Sequence, residues 1–388
     1  MRPETAPRHE GEPLVEHEAR DLLSKLIAVN TVGDGESGAA AVAAAELHAA
    51  GLVTKTLDWR PNRNQLIATT PGTDDGPPLT FTGHLDTVPA NPDDWSSDPW
   101  TATVNGDQLA GRGASDMKSG VAAFIVALAH HRRRQHDCRP VQLVLTAAEE
   151  TGCEGAADIP SSALRRGGWL LVGEPTSNRL VLGHKGGLWL RLATHGVSAH
   201  GSAPHLGRNA IVAAARAAVS LHDTDDWPTD SRFGPVTANV GTIAGGAQVN
   251  VVPDAAQLAL DLRHGPSVPS ERLAARVAEI VGPDVDISTI ARLSPVDTPT
   301  DSPFAHAVSD ALEQVGLDPT PAPPARFFTD ASVLTELLGA EGTVICGPGE
   351  PEQCHVVDEW CSVTRLGQAA KVYSALLDTW CATGIPTG

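Results

Sequence analysis

A chain of 388 residues is longer than one hydrophobic core usually supports, so its length predicts two domains. The 28 Lys and Arg residues against 47 Asp and Glu residues give a formal net charge of −19, which disfavours nucleic acid and anionic membrane surfaces as partners. The six cysteines form no C-x-x-C pair and no stretch is apolar enough to span a bilayer, so we expect reduced thiols and a cytoplasmic protein.

The first and last parts of the chain alternate between helical and strand patterns. Helical periodicity predicts helices, and apolar runs bounded by turn residues predict strands. These predicted elements are helices over 16–29, 38–50, 121–130 and 363–380, and strands over 52–59, 65–69, 79–82, 141–146, 169–172 and 342–346. The alternation predicts an α/β fold, in which a central mixed sheet flanked by helices forms a catalytic domain.

The middle of the chain has a different pattern, with strands and helices in an order typical of an α+β domain. The predicted elements are strands over 188–194, 236–243, 256–263 and 285–290, and helices over 206–221 and 270–281. We therefore predict a smaller α+β domain over residues 185–293, inserted between the two parts of the catalytic domain at 1–184 and 294–388.

Two side chains that can act together follow the strand over 79–82. His84 and Asp86 are two positions apart, so on an extended backbone they point the same way. The Asp86 carboxylate can then accept one ring N–H of His84 and leave the other nitrogen for a metal ion. Asp116 precedes the helix over 121–130. Taken singly, a His-x-Asp pair is more often a surface hydrogen bond, and an Asp before a helix is more often its N-cap.

Further acids and a histidine follow the other buried strands. Glu149 and Glu150 follow 141–146, Glu174 follows 169–172, and His355 lies in the loop after 342–346. Because ligand sites in open α/β sheets form beyond the carboxyl ends of the strands, these side chains are expected to converge.

Two imidazoles and three carboxylates suffice for two divalent ions roughly 3.5–4 Å apart that share one carboxylate. The predicted ligands are His84, Asp116, Glu150, Glu174 and His355. Asp116 is the predicted bridge, because its segment lies between those of the other ligands. Nitrogen and oxygen ligands without thiolate suit zinc, with cobalt or manganese as substitutes. Glu149, next to a ligand, is the predicted general base.

Together these motifs resemble the zinc peptidase family of acetylornithine deacetylase, succinyl-diaminopimelate desuccinylase and carboxypeptidase G. The resemblance covers residues 16 to 384 and is carried by the segments Gly83–Pro89, Gly111–Gly120, Glu149–Thr151, Val172–Thr176 and Gly347–Gly349, with Gln353, His355 and Asp358-Glu359. It implies two zinc ions per subunit, one held by His84 and Glu174 and the other by Glu150 and His355. It also implies a cis peptide bond between Asp116 and Met117.

The resemblance extends into the inserted domain, which it implies to be a lid and dimerisation domain of a homodimer. His200 is implied to reach the partner subunit's site and to stabilise the tetrahedral oxyanion. Asn250 and Arg263 match positions that bind the substrate's carboxylate, and Thr329 lies in a late loop assigned to substrate binding. Ser332 stands where desuccinylases carry an arginine, which argues against a diaminopimelate substrate.

We therefore expect a co-catalytic zinc amidohydrolase that removes the acyl group from an N-acyl amino acid, as acetylornithine deacetylase does. A water molecule between the two metal ions, deprotonated by Glu149 to a bridging hydroxide, would attack the acyl carbonyl. One alternative is an exopeptidase or dipeptidase, or a desuccinylase-like enzyme. An alternative of another class is an inactive relative that serves in binding.

Overall fold

The computed structural model describes residues 12–71, 76–134 and 139–382. The helices are α1 (Glu12–Ile27), α2 (Glu36–Ala49), α3 (Ser119–Arg134), α4 (Glu154–Ala157), α5 (Ala210–His222), α6 (Ser270–Val281), α7 (Pro303–Gln314), α8 (Ala331–Leu338) and α9 (Val363–Ala382). The strands are β1 (Val53–Arg60), β2 (Arg63–Thr69), β3 (Leu79–His84), β4 (Thr103–Asn105), β5 (Gln108–Ala110), β6 (Val141–Thr146), β7 (Trp169–Val172), β8 (Gly183–His184), β9 (Gly186–His195), β10 (Thr229–Asp230), β11 (Gly234–Pro235), β12 (Thr237–Gly245), β13 (Ala255–His264), β14 (Val285–Leu293), β15 (Val296–Asp297), β16 (Gly342–Ile345) and β17 (Trp360–Ser362).

The chain divides into two compact units. Unit 1 comprises Met1–Leu182, Thr298–Ala322 and Thr329–Gly388, and unit 2 comprises Gly183–Asp297 and Pro323–Phe328. The predicted boundaries place all of 294–388 in the catalytic domain, so the short second segment of unit 2 is not predicted. The assignment of the units as a catalytic domain and a lid or dimerisation domain stays a prediction.

Unit 1 contains a six-stranded mixed sheet in the order β1-β2-β6-β3-β7-β16. Strands β6, β3, β7 and β16 run parallel to one another. Strand β2 pairs antiparallel with β6, and β1 pairs antiparallel with β2. Every residue of the four parallel strands is buried, as expected for strands covered by helices on both faces. The predicted mixed α/β fold is confirmed, and the carboxyl ends of four buried strands lie at one edge of the sheet.

Aromatic side chains pack two helices onto this sheet. The rings of Phe81 on β3 and Phe124 on α3 stack with centroids 4.2 Å apart, and Tyr373 on α9 lies 5.5 Å from Phe124. The Tyr373 hydroxyl donates a 2.6 Å hydrogen bond to the carbonyl of Cys346. This hydrogen bond ties α9 to the segment that follows β16 and leads towards His355.

Unit 2 contains a four-stranded antiparallel sheet in the order β12-β13-β9-β14, with α5 and α6 packed on it. Helix α6 has the predicted bounds. Helix α5 begins at Ala210 rather than at the predicted residue 206, because the Asn209 side chain accepts the N–H of Val212 and caps the helix there.

Two helices, α7 and α8, lie outside the elements predicted from the sequence. The expected reduced thiols are found at Cys153, Cys346, Cys354 and Cys361. The expectation is wrong for Cys381, which is disulfide-bonded. Among the described residues, no helix is long and apolar enough to cross a membrane.

Candidate metal centre

The predicted ligands follow the parallel strands of unit 1. His84 is the last residue of β3, Glu149 and Glu150 follow β6, Glu174 follows β7, and His355 follows β16. Because these strands are parallel neighbours, their carboxyl ends bring the side chains to one sheet edge. The residue that precedes α3, Asp116, joins them there through its contacts with both histidines.

The His84 ring is held by Asp86, but through a different atom from the predicted one. Its Nδ1 lies 3.0 Å from the Asp86 main-chain carbonyl oxygen and 3.6 Å from carboxylate Oδ1. The Asp86 carboxylate instead accepts the N–H groups of Glu149 and Glu150, both at 3.2 Å. The strand ends at His84, so the alternation of side chains no longer aims Asp86 at the ring. Asp86 therefore fixes His84 with its backbone and the β6 loop with its side chain.

Asp116 divides its carboxylate between two pairs of side chains. Its Oδ1 lies 3.1 Å from His84 Nε2, which is also 3.8 Å from Glu174 Oε1. Its Oδ2 lies 3.3 Å from His355 Nε2, which is also 3.0 Å from Glu150 Oε2. Each oxygen of Asp116 thus faces one imidazole, and each imidazole also faces a further carboxylate.

This donor set fits a metal ion. Ligand atoms of His84, Asp116 and Glu150 all lie within 4.8 Å of one another. In the described part of the chain, Glu150 Oε1 is buried without a hydrogen-bond partner, which is a costly state for a carboxylate oxygen unless a cation binds it. Imidazole and carboxylate donors without sulfur suit zinc, cobalt or manganese.

The electrostatics of the cluster favour positive charge. Hydrogen bonds to Asp116 and Glu150 raise the pKa of His355 to about 10. Burial lowers the pKa of His84, but the carboxylates of Asp116 and Glu174 outweigh it and raise that pKa well above its usual value. Burial, and then the charge of Asp116, raise the pKa of Glu174. The site therefore has a negative field that a divalent cation would neutralise.

Glu149 lies in the same field, and among the described residues no ion pair joins it to either imidazole. It is only 6% exposed, and burial, with the charges of Glu174 and Glu150, raises its pKa well above the usual value. The thiol of Cys153 lies 3.9 Å from its Oε1. A buried carboxyl group with a raised pKa is suited to accept and return a proton near neutral pH.

The loops that carry these groups have unusual backbones. Ala148, Cys153 and His355 have φ of 60°, 57° and 64°, a left-handed region that L-residues seldom adopt. Such conformations concentrate at functional sites. The peptide bond between Asp116 and Met117 is cis, as the resemblance implies.

His200 belongs to unit 2 and is exposed. Its Nδ1 accepts the main-chain N–H of Ser202 at 3.1 Å and lies 2.7 Å from the Ser202 hydroxyl. Because Nδ1 is an acceptor, the proton of the neutral ring is on Nε2. His200 therefore offers an Nε2–H donor held in a fixed orientation.

Arg263, also in unit 2, is part of a closed ring of four side chains. Its Nε donates to both carboxylate oxygens of Asp261, at 2.8 and 3.0 Å, and its guanidinium lies 4.3 Å from the ring centroid of Phe328. Trp189 donates to the same Asp261 at 2.9 Å and contacts Phe328 edge-on. Among the described residues, none accepts a hydrogen bond from the Arg263 Nη atoms. Asp261 thus fixes the Nε edge of the guanidinium, and the Nη atoms are available to bind an anion.

The other two predicted substrate contacts are less distinctive. Asn250 is exposed, and its main-chain carbonyl accepts the N–H of Gly201 at 2.7 Å. Thr329 is fully buried in unit 1, and its hydroxyl accepts the N–H of Ala331 at the start of α8. Their roles in substrate binding stay predictions, and the function proposed below does not depend on Thr329.

Sequence reasoning gave no role to Glu359, although the motif Asp358-Glu359 helped to carry the resemblance. Its fully buried carboxylate accepts the N–H groups of Gly113, Ser115 and Asp116. These partners are more than 240 residues away in the chain, so only that motif could have drawn attention to Glu359.

Known proteins resemble this chain in sequence. The profile of peptidase family M20/M25/M40 matches residues 80–379. The chain is 31% identical to acetylornithine deacetylase of Photorhabdus laumondii over 78% of this chain and 80% of that protein. It is 30% identical to succinyl-diaminopimelate desuccinylase of Xylella fastidiosa over 93% of this chain and 98% of that one.

A solved structure shares the fold. The M20 family metallo-carboxypeptidase of Sulfolobus solfataricus superposes with a TM-score of 0.79 at 18% identity, over 94% of this chain and 99% of that one. The family match covers most of the chain, two relatives are about 30% identical, and side chains that could hold a metal ion form a cluster. The chain therefore belongs to peptidase family M20/M25/M40 and is a metal-dependent amide hydrolase.

Proposed function

We propose that this enzyme removes the acyl group from an N-acyl amino acid with the help of two divalent metal ions, zinc or a substitute such as cobalt or manganese. His84 and Glu174 would hold one ion and Glu150 and His355 the other, with Asp116 shared between them. The observation that carries this proposal is the division of the Asp116 carboxylate, whose two oxygens face different imidazoles at 3.1 and 3.3 Å. When bound, the ions supply Lewis-acid polarisation of the scissile carbonyl and lower the pKa of a water molecule.

The side chains supply the proton transfers. Glu149 takes a proton from the attacking water and returns it to the leaving amine as the carbon–nitrogen bond breaks. Its raised pKa and its burial support that role. The Nε2–H of His200, oriented by the bonds of Nδ1 to Ser202, donates to the oxyanion that forms on the carbonyl oxygen.

We include a homodimer in this proposal, with His200 acting in the site of the partner subunit. Helix α5 and the edge strand β12 expose apolar side chains, with Val219 59% exposed and Ile243 50% exposed, which supports contact with a second copy of unit 2. His200→Ala should lower kcat while metal content is unchanged. Mixing H200A with a metal-site variant should restore activity through hybrid dimers, and no restoration would contradict action across subunits.

The free edge of Arg263 supports a carboxylate on the substrate. Its Nη atoms suit a two-point hydrogen bond to a carboxylate, which is the form of recognition that Arg provides best. At Ser332 the hydroxyl-bearing side chain is small and buried, so this position offers no cation for a second carboxylate such as that of a succinyl group. An acetylated amino acid is therefore the preferred substrate class.

A substrate panel tests the proposal. Zinc-loaded enzyme is assayed with N-acetyl amino acids of different side chains, the matching N-succinyl compounds and dipeptides. We expect kcat/KM for the best N-acetyl amino acid to exceed that for the best dipeptide at least tenfold, about 1.4 kcal/mol in transition-state stabilisation. Inactivity on every N-acyl amino acid would refute the proposal.

An exopeptidase is the second candidate, since the Arg263 fork also suits the terminal carboxylate of a dipeptide. A preference for dipeptides in the same panel would favour it. An inactive binding protein is disfavoured because Glu149 is present together with all five proposed ligands. Failure of a zinc-loaded sample to hydrolyse any amide would favour that alternative.

A further inference from the structure

The turn that carries Asp116 is held by one buried carboxylate. Glu359 is fully buried, and its Oε2 accepts hydrogen bonds from Arg112 Nη1 and from the N–H of Gly113, both at 2.8 Å. Its Oε1 accepts the N–H of Ser115 at 2.8 Å and that of Asp116 itself at 3.0 Å. Four donors converge on two oxygens, and three of them are main-chain N–H groups of one turn. The backbone of the shared ligand is thus fixed directly by Glu359.

A second buried carboxylate holds the other side of the same region. Glu350 is 4% exposed, and its Oε1 accepts from Arg365 Nη1 at 2.7 Å and from the N–H of Ser362 at 3.1 Å. Its own N–H donates to the hydroxyl of Ser115 at 2.9 Å. Ser115 therefore bonds to both carboxylate residues, through its N–H to Glu359 and through its hydroxyl to Glu350.

Backbone packing brings the same two segments into direct contact. Gly349 lies against the carbonyl oxygen of Ser115 so closely that a Cβ at position 349 would collide with it. The hydroxyl of Ser115 is also 2.8 Å from the carbonyl oxygen of Trp360. The turn before α3 and the loop between β16 and β17 thus meet at Ser115.

This arrangement matters for His355 because that residue has little support of its own. Its side chain is 53% exposed, and the ion pairs it makes in the described chain are with Asp116 and Glu150, which are also proposed ligands. Glu350 stands five residues before it and Glu359 four residues after it. Both ends of the ligand loop are therefore anchored by buried carboxylates, while the ligand between them is half exposed.

We propose that Glu350 and Glu359 are positioning residues that clamp the Asp116 turn to the His355 loop and thereby set the metal affinity of the site. The proposal rests on the ligand roles proposed for Asp116 and His355. Neither glutamate is among the proposed metal ligands or substrate contacts. They act by fixing two ligands that lie on irregular backbone rather than on strands, as groups behind metal ligands do elsewhere.

Glu359→Gln tests the clamp. A glutamine offers one acceptor oxygen, and its NH₂ group would face two of the four donors, so half of the hydrogen bonds are lost at nearly unchanged volume. Metal-free protein is titrated with Zn²⁺ in competition with a chromophoric chelator, at a temperature where circular dichroism shows each variant folded. We expect Kd for Zn²⁺ to rise about tenfold to a hundredfold.

A matched control separates positioning from general stability. Glu36 is also a fully buried carboxylate of unit 1, and it pairs with Arg63 rather than with either ligand loop. Glu36→Gln should lower Tm but leave Kd for Zn²⁺ within about twofold. If E359Q lowers Tm in the same way and also leaves Kd within twofold, Glu359 is only structural and the clamp is refuted.

A second variant keeps the question decidable if E359Q does not fold. Ser115→Ala retains both carboxylates but removes the hydroxyl that joins them, and we expect it to raise Kd for Zn²⁺ severalfold, whereas an unchanged Kd would refute the link. His355→Ala in the same titration reports on the proposed function itself. If H355A binds Zn²⁺ as the wild type does, the ligand assignment has failed. If only E359Q and S115A bind normally, the clamp alone has failed.

Discussion

Replacement of Glu149 by alanine separates catalysis from metal binding. The main-chain N–H of residue 149 donates to Asp86 at 3.2 Å whatever the side chain, so the loop that carries Glu150 keeps its anchor. From the residues that the structure describes, the carboxylate itself receives only a weak bond from Cys153 at 3.9 Å. Loss of a general base of this kind costs a factor of about 10² to 10⁴ in kcat, or roughly 3–5 kcal/mol in the activation barrier.

The same substitution removes a buried acid from a cluster of like charges. Burial and the neighbouring carboxylates of Glu174 and Glu150 oppose its ionisation, so we expect the Tm of metal-free Glu149→Ala to equal or exceed that of the wild type. Metal content from mass spectrometry, kcat on an N-acetyl amino acid and Tm are measured together. Glu154→Ala, an exposed neighbour paired with Arg60, is the control and should leave kcat unchanged.

Turnover within tenfold of the wild type would refute the assignment of Glu149 as the base. Loss of zinc from the variant would also contradict it, because the side chain would then be a ligand or a support for one. Only an inactive, metal-replete and stable variant agrees with the reasoning.

Three further predictions concern single contacts. Burial lowers the pKa of His184 from 6.5 to about 4, so the unfolded chain binds a proton that the folded chain excludes. The free energy of unfolding should therefore fall by about 2 kcal/mol between pH 7 and pH 5. Urea unfolding of His184→Gln should show that much less pH dependence, and an equal pH dependence in the variant and the wild type would contradict the prediction. Asp261→Asn should loosen Arg263 and raise KM severalfold for an N-acetyl amino acid, but not for the corresponding N-acetyl amino acid amide, which lacks the carboxylate. An equal rise in KM for both substrates would exclude carboxylate binding by Arg263. Tyr373→Phe should lower the free energy of unfolding by about 1–3 kcal/mol, because the buried carbonyl of Cys346 loses the hydroxyl that donates to it at 2.6 Å. Urea unfolding measures this change, and a change below about 0.5 kcal/mol would contradict the prediction.

The sequence predicted most of the features that depend on regular helices and strands. Helix α6 has the expected bounds, and His84 ends the strand expected to deliver it, because periodicity of apolar residues reports directly on burial. It did not predict which atom of Asp86 meets the ring, since that depends on where β3 stops. It also gave no sign that Pro323–Phe328 belongs to unit 2, although Phe328 packs there against Arg263.

The limit of prediction at the site follows from how each ligand is supported. His84 is the last residue of a buried strand, so local sequence determines its place. Asp116 and His355 lie on irregular backbone, and in the proposed clamp their places depend on the hydrogen bonds that main-chain N–H groups donate to Glu359 and on the meeting of distant loops at Ser115. A motif can therefore indicate all five proposed ligands while the groups that hold two of them stay unassigned. For this site, the chain distance between a ligand and its support determines how much of the geometry the sequence predicts.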